Sequence, residues 1–163
     1  MSKSVKPIPE GFHTLTPYVI VKGAAEAIDF YKKAFGAEEL FRMPGPDGKT
    51  VGHAEIKIGD SIVMLSDECP EFGARSPQAL NGTPVSFLFY VKDADTAFKR
   101  AVDAGAKVLH PLENKFYGDR AGTVTDPFGH QWTIGTHVED IAPEELEKRM
   151  VAEHAKRVAK ANP

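Results

Sequence analysis

Residues 84–105 read PVSFLFYVKDADTAFKRAVDAG, and a change of period inside this stretch decides the fold. Up to Val91 the residues alternate. Val85, Phe87, Phe89 and Val91 fall on one face, and Ser86, Leu88 and Tyr90 on the other, which is the period of a strand. From Asp93 the apolar spacing becomes three and four. Ala94, Ala97, Phe98, Ala101 and Val102 form one stripe, which predicts a helix over 93–104. Asp93 is placed as its N-cap and Gly105 just beyond its end.

Outward from this stretch the same order appears twice. Downstream, strands are expected near 107–112, 120–126 and 130–136, with Asp126-Pro127-Phe128-Gly129 as a turn between the last two. Upstream, 13–21 alternates like a strand and 24–35 carries a helical stripe of Ala24, Ala27, Ile28, Tyr31 and Phe35, closed by Gly36. Strands follow at 38–43, 50–58 and 61–66, the last two joined by a Gly59-Asp60 hairpin. Lys22 and Lys92, Ala24 and Ala94, Gly52 and Gly122, and Gly59 and Gly129 all stand 70 positions apart. The repeat predicts an α+β protein of two βαβββ modules. One face of each module's strands is apolar and must cover its helix. The mixed faces should line a shared cleft, with the helices outside.

The expected organisation is a single domain over 1–163, with module one at 13–66, a linker at 67–82, module two at 83–137 and a C-terminal helix at 140–161. Pro143 opens that helix, and Leu146, Met150, Val151 and Val158 fall on one side. Such a stripe signals docking on the protein's own body or on a partner subunit.

Composition narrows the function classes. The 163 residues are 42% apolar and 26% charged with a net charge of −3, which fits a globular chain and not a disordered one. No basic stripe marks a nucleic-acid partner. One cysteine, Cys69, excludes an internal disulfide framework and agrees with a reducing compartment. Residues 1–10 are polar and unlike a signal peptide, and no apolar run is long enough to span a membrane, so a cytoplasmic protein is expected. Phosphate loops, dinucleotide fingerprints and a Gly-x-Ser-x-Gly elbow are absent from the sequence.

Three strings carry a resemblance. AIDFYKKAFGAEELF after VIVKG, YVKDADTAFKRAVDAGAKV, and above all FYGDRAGTVTDPFGHQW (116–132) resemble the vicinal oxygen chelate superfamily of glyoxalases, bleomycin-resistance proteins and extradiol dioxygenases. Aspartate-proline-aromatic-glycine before the last strand is a signature of that superfamily. The following His130 and Trp132, together with HAEIKIGDSIVMLSDE (53–68), are similar to its PhnB-like branch.

The metalloenzymes of that superfamily hold a divalent cation with ligands from the first and last strands of each module. The resemblance places those positions at Thr16, Met64, Ser86 and Thr133. None is an imidazole or a carboxylate. Neutral hydroxyls and a thioether are poor ligands for the usual cation, so no metal and no other cofactor is expected. A displaced site built on His53 and Glu55 would need a third ligand, such as Asp67 or Tyr90.

The candidate catalytic residues are His53 and Glu55, which lie two apart on one strand face and so suit a general base with a tuning neighbour. The candidate ligand-binding residues are Thr16, Tyr18, Met64, Ser86, Tyr90, Arg120 and Thr133, with Arg120 near the cleft mouth. Against this stands a structural role, with Glu55 pairing Lys57 or Arg120. The expected function is binding of a small polar or aromatic molecule without the usual metal. The alternatives are a metal-dependent glyoxalase-type lyase, isomerase or dioxygenase, and a metal-free enzyme using His53. A homodimer is expected, with neither nucleic acid nor membrane as partner.

Overall fold

A computed structural model describes residues 5–161, with side chains through Ala159. Residues 1–4 of the polar N-terminal segment lie outside the described residues. The first module runs β1 (Tyr18–Val21), α1 (Ala24–Phe35), β2 (Glu38–Pro44), β3 (Val51–Ile58) and β4 (Ser61–Asp67). The second runs β5 (Ser86–Tyr90), α3 (Ala94–Asp103), β6 (Lys107–Asn114), β7 (Asp119–Thr125) and β8 (Gln131–His137). Between them lie a 3₁₀ turn (Pro70–Phe72) and the short helix α2 (Pro77–Leu80). The tail is α4 (Pro143–Ala161).

Each module makes a four-stranded sheet of the same order, β1-β4-β3-β2 and β5-β8-β7-β6. In both, the first strand is parallel to the last and the other neighbours are antiparallel. The repeated topology agrees with the repeated sequence. The capping expectations also hold. Asp93 accepts from the Thr96 amide at 3.1 Å, and Gly36 takes a left-handed φ of 69° that a Cβ would strain.

The two-residue Gly59-Asp60 turn sets β3 against β4, pairing Ile58 with Ser61 and Ala54 with Leu65. That register sends Ala54, Ile56 and Ile58 to the helix face and leaves His53, Glu55 and Lys57 on the other. Val19, Val21 and Leu65 join α1 from the first sheet, and Val124, Trp132 and Ile134 join from the second, in one core cluster. Helix α1 packs on α3 across the seam. Among the described residues, no helix is long and apolar enough to cross a membrane.

Three expectations change. The first strand begins at Tyr18, not at residue 13, because Pro17 has no amide to donate and Thr14 and Leu15 bend the chain. The segment 67–82 is more than a linker. Asp67 closes β4, and Ser76 caps α2 by accepting from the Ala79 amide at 3.3 Å. Helix α4 starts at Pro143, and Met150, Val151 and Val158 on it stay about half exposed or more.

Candidate functional site

The mixed face of the first sheet gathers the residues with useful chemistry. Tyr18 stands beside Met64, Met64 opposite Glu55, Glu55 opposite Phe41, and His53 opposite Met43 in the ladder. The Tyr18 hydroxyl lies 3.0 Å from Nδ1 of His53, and Nε2 of His53 lies 3.5 Å from a Glu55 carboxylate oxygen. A phenol, an imidazole and a carboxylate thus stand in line. With the phenol donating to Nδ1, the proton on Nε2 faces Glu55, and the carboxylate orients the ring. The side chains of His53 and Glu55 are about one-fifth exposed, so water and a small molecule both reach them. Phe41 and Met43, each half exposed, supply an apolar wall beside them, and the Phe41 ring centroid is 6.2 Å from that of His53.

The second module's mixed face holds a different chain. Tyr90 donates to Oδ2 of Asp119 at 2.8 Å, and Oδ1 of Asp119 is 2.8 Å from Nδ1 of His137. Nε2 of His137 reaches Asp140 at 3.0 Å. Asp119 is buried. Its hydrogen bond holds the Tyr90 phenol above its ordinary range, and its bond to His137, then that of Asp140, raises the imidazole's. Asp119 and His137 escaped the sequence reading. Position 119 is two residues from Tyr117 and 29 from Tyr90, so no local spacing exposes the pair.

The remaining expected positions scatter. Thr133 shares a 2.8 Å hydrogen bond with Thr123, one hydroxyl donating to the other. Ser86 opens β5 opposite Gln131. Thr16 precedes the strand, and its hydroxyl donates to the His13 carbonyl at 3.0 Å, which takes it off the ladder face. Arg120 is turned away from the mixed face. Strand parity puts it beside Thr136 on the helix side, where it grips Asp95 of α3 through two 2.6 Å bonds. It is therefore not at a cleft mouth, and it does not pair with Glu55.

The donor set does not fit the superfamily's divalent metal. Thr16, Met64, Ser86 and Thr133 offer three hydroxyls and a thioether, and the Thr16 and Thr133 hydroxyls are already bonded. Asp67 cannot complete a site with His53 and Glu55. Its Oδ1 accepts from the amides of Gly23 and Ala24 at the start of α1, and its Oδ2 from the Val51 amide. Among the described residues, no three His, Cys, Asp or Glu side chains stand close enough together to hold an ion.

Paired βαβββ modules with a core shared across the seam define a glyoxalase-type fold. Residues 11–134 match the model of the Glyoxalase/Bleomycin resistance protein/Dioxygenase superfamily, and the chain belongs to that superfamily. An uncharacterised protein of Mycobacterium tuberculosis is 48% identical over 139 residues, covering 83% of this chain and 81% of that one. The crystal structure of an Arabidopsis thaliana gene product, 32% identical, superposes with a TM-score of 0.61 over 76% of this chain and 98% of that one. The PhnB protein from Bacillus cereus is 19% identical, with a TM-score of 0.59 over 76% and 99%; at that identity it attests the fold alone.

Proposed function

We propose that the protein binds a small polar molecule with an aromatic part on the mixed face of the first module, without the superfamily's usual metal. The observation that carries this reading is the line Tyr18–His53–Glu55 with Phe41 and Met43 beside it. A ring of the ligand packs on Phe41 and Met43, and its polar substituent exchanges hydrogen bonds with His53 and Glu55. Tyr90, on the second module's mixed face, offers a further aromatic surface whose hydroxyl Asp119 fixes.

The same line favours a second reading, a metal-free enzyme. A bound substrate can pass a proton to the Tyr18 oxygen as the phenol passes its own to Nδ1 of His53, while Nε2–H stays on Glu55, which stabilises the imidazolium that results. The metal-dependent reading has the donor set against it.

The chain is also read as a homodimer in the cytoplasm. It leaves Met150, Val151 and Val158 on the α4 stripe about half exposed or more, and a second copy is the simplest cover for them.

The test is a ligand-observed NMR screen of polar aromatic compounds against the wild type and the His53→Ala and Tyr90→Ala variants. Binding should weaken in both variants while their melting temperatures stay near that of the wild type. Heavy loss of stability with normal binding by the residual folded protein overturns the proposal. Metal analysis of untagged protein should show less than one transition-metal ion per chain, and tight stoichiometric Zn, Ni, Mn or Fe refutes the metal-free part.

A further inference from the structure

The seam between the modules carries two pockets that the internal repeat relates to each other. In one, of about 280 Å³, Pro17 and strand β1 at Tyr18–Ile20 meet Val85 and Phe87, and His130 stands in the wall. In the other, of about 350 Å³, strand β5 at Phe87–Tyr90 meets Leu15 and Pro17, and Asp60 stands in the wall. Apart from Arg75, every residue of the first pocket has a counterpart 70 positions away in the second. Where the twins differ in chemistry, the difference is informative.

Both pockets face a strand edge. The Met64 amide donates to Pro17 O at 2.9 Å, so alternation turns the Ile20 carbonyl away from the sheet and into the seam. There His130 Nε2 donates to it at 3.0 Å. In the twin, the Val91 amide donates to Gly135 O at 2.9 Å, and the same alternation turns the Tyr90 carbonyl outward. Tyr90 is the counterpart of Ile20, and Asp60 is the counterpart of His130. An aspartate carboxylate has no proton to donate. It accepts from its neighbour Ser61 at 3.0 Å and adds a second acceptor where the twin has a donor. Among the described residues, no side chain donates to the Tyr90 carbonyl.

We propose that the second seam pocket binds a small molecule with an aromatic body and a protonated amine or other cationic N–H group. Its body lies among Leu15, Phe87, Phe89 and Trp132, and its cation sits between the Asp60 carboxylate and the carbonyl edge of β5. The ligand takes the place that the His130 imidazole takes in the twin. The volume falls in the range of small-molecule sites, and a charge-assisted N–H bond to carboxylate and carbonyl selects cations over anions of equal shape. This site is separate from the His53 face, for neither His53 nor Glu55 lines the pocket.

The experiment uses protonated 2-phenylethylamine and its anionic isostere 3-phenylpropionate at neutral pH. Trp132 is the chain's one tryptophan and lines this pocket, so its fluorescence reports the site. The amine should change that fluorescence saturably and the carboxylate should not. Asp60→Asn should weaken the amine by about tenfold. Asp60→His copies the twin and should abolish binding, because its imidazole takes the carbonyl. Asp60 is exposed in a hairpin, so both variants should keep the wild-type melting temperature. Equal response to the anion, no saturable response to the amine, or amine binding unchanged in Asp60→His overturns the proposal.

Discussion

Asp126→Asn tests how the two modules are tied together. Asp126 is buried, and its two oxygens accept four hydrogen bonds. Oδ1 takes the amides of Phe128 and His130, each at 2.9 Å. Oδ2 takes the Tyr31 hydroxyl from α1 and the Trp132 indole from β8, also at 2.9 Å each. Burial first, then the Asp126 charge, holds the Tyr31 phenol well above its ordinary range. An asparagine keeps one acceptor and turns an NH₂ toward two of the four donors. Two buried donors lose their partner at about 1–3 kcal/mol each, which gives about 4 kcal/mol in all. For a chain of this length that lowers the melting temperature by roughly 8–16 °C. Tyr31→Phe removes one donor and should cost about 1 kcal/mol. In the Asp126→Asn background it should cost less, since it relieves one of the two conflicts. Thermal and urea unfolding, followed by near-ultraviolet circular dichroism and Trp132 fluorescence, reads all three variants. A fall of less than about 3 °C in Asp126→Asn refutes the account of the hub.

Three further outcomes are expected. His137 has its titration raised by Asp119 and then Asp140. A raised histidine adds stability that is complete below its unfolded value of about 6.5 and is lost as pH rises through the higher folded value. The wild type should therefore lose stability across that interval on going alkaline, and His137→Gln should flatten the slope; an unchanged slope sinks the assignment. In Gly122→Ala the new Cβ would meet the Phe98 ring at 2.6 Å and the Leu112 backbone at 2.9 Å, so α3 must lift from β7 at about 1–3 kcal/mol, checked by urea titration. Light scattering at micromolar concentration should return about twice the 17.8 kDa of one chain, and a single-chain mass ends the dimer reading.

The order of elements was legible in the sequence because it rests on local periods. Alternation in 84–91, the helical stripe in 93–104 and the turn glycines at 59 and 129 depend on neighbours a few residues away. Parity alone also put His53 and Glu55 on one face, and the ladder keeps them there. Partnerships across sheets were not legible. Arg120 follows strand parity to the helix face, yet only the packing of α3 on the second sheet brings Asp95 to it. Asp119 finds Tyr90 and His137 because β5, β7 and β8 lie side by side, and Asp126 finds Tyr31 because the two modules share a core. A sequence shows which face a side chain takes within its own strand. What stands on that face from 30 or 100 residues away is decided by sheet order and by how the modules close on each other.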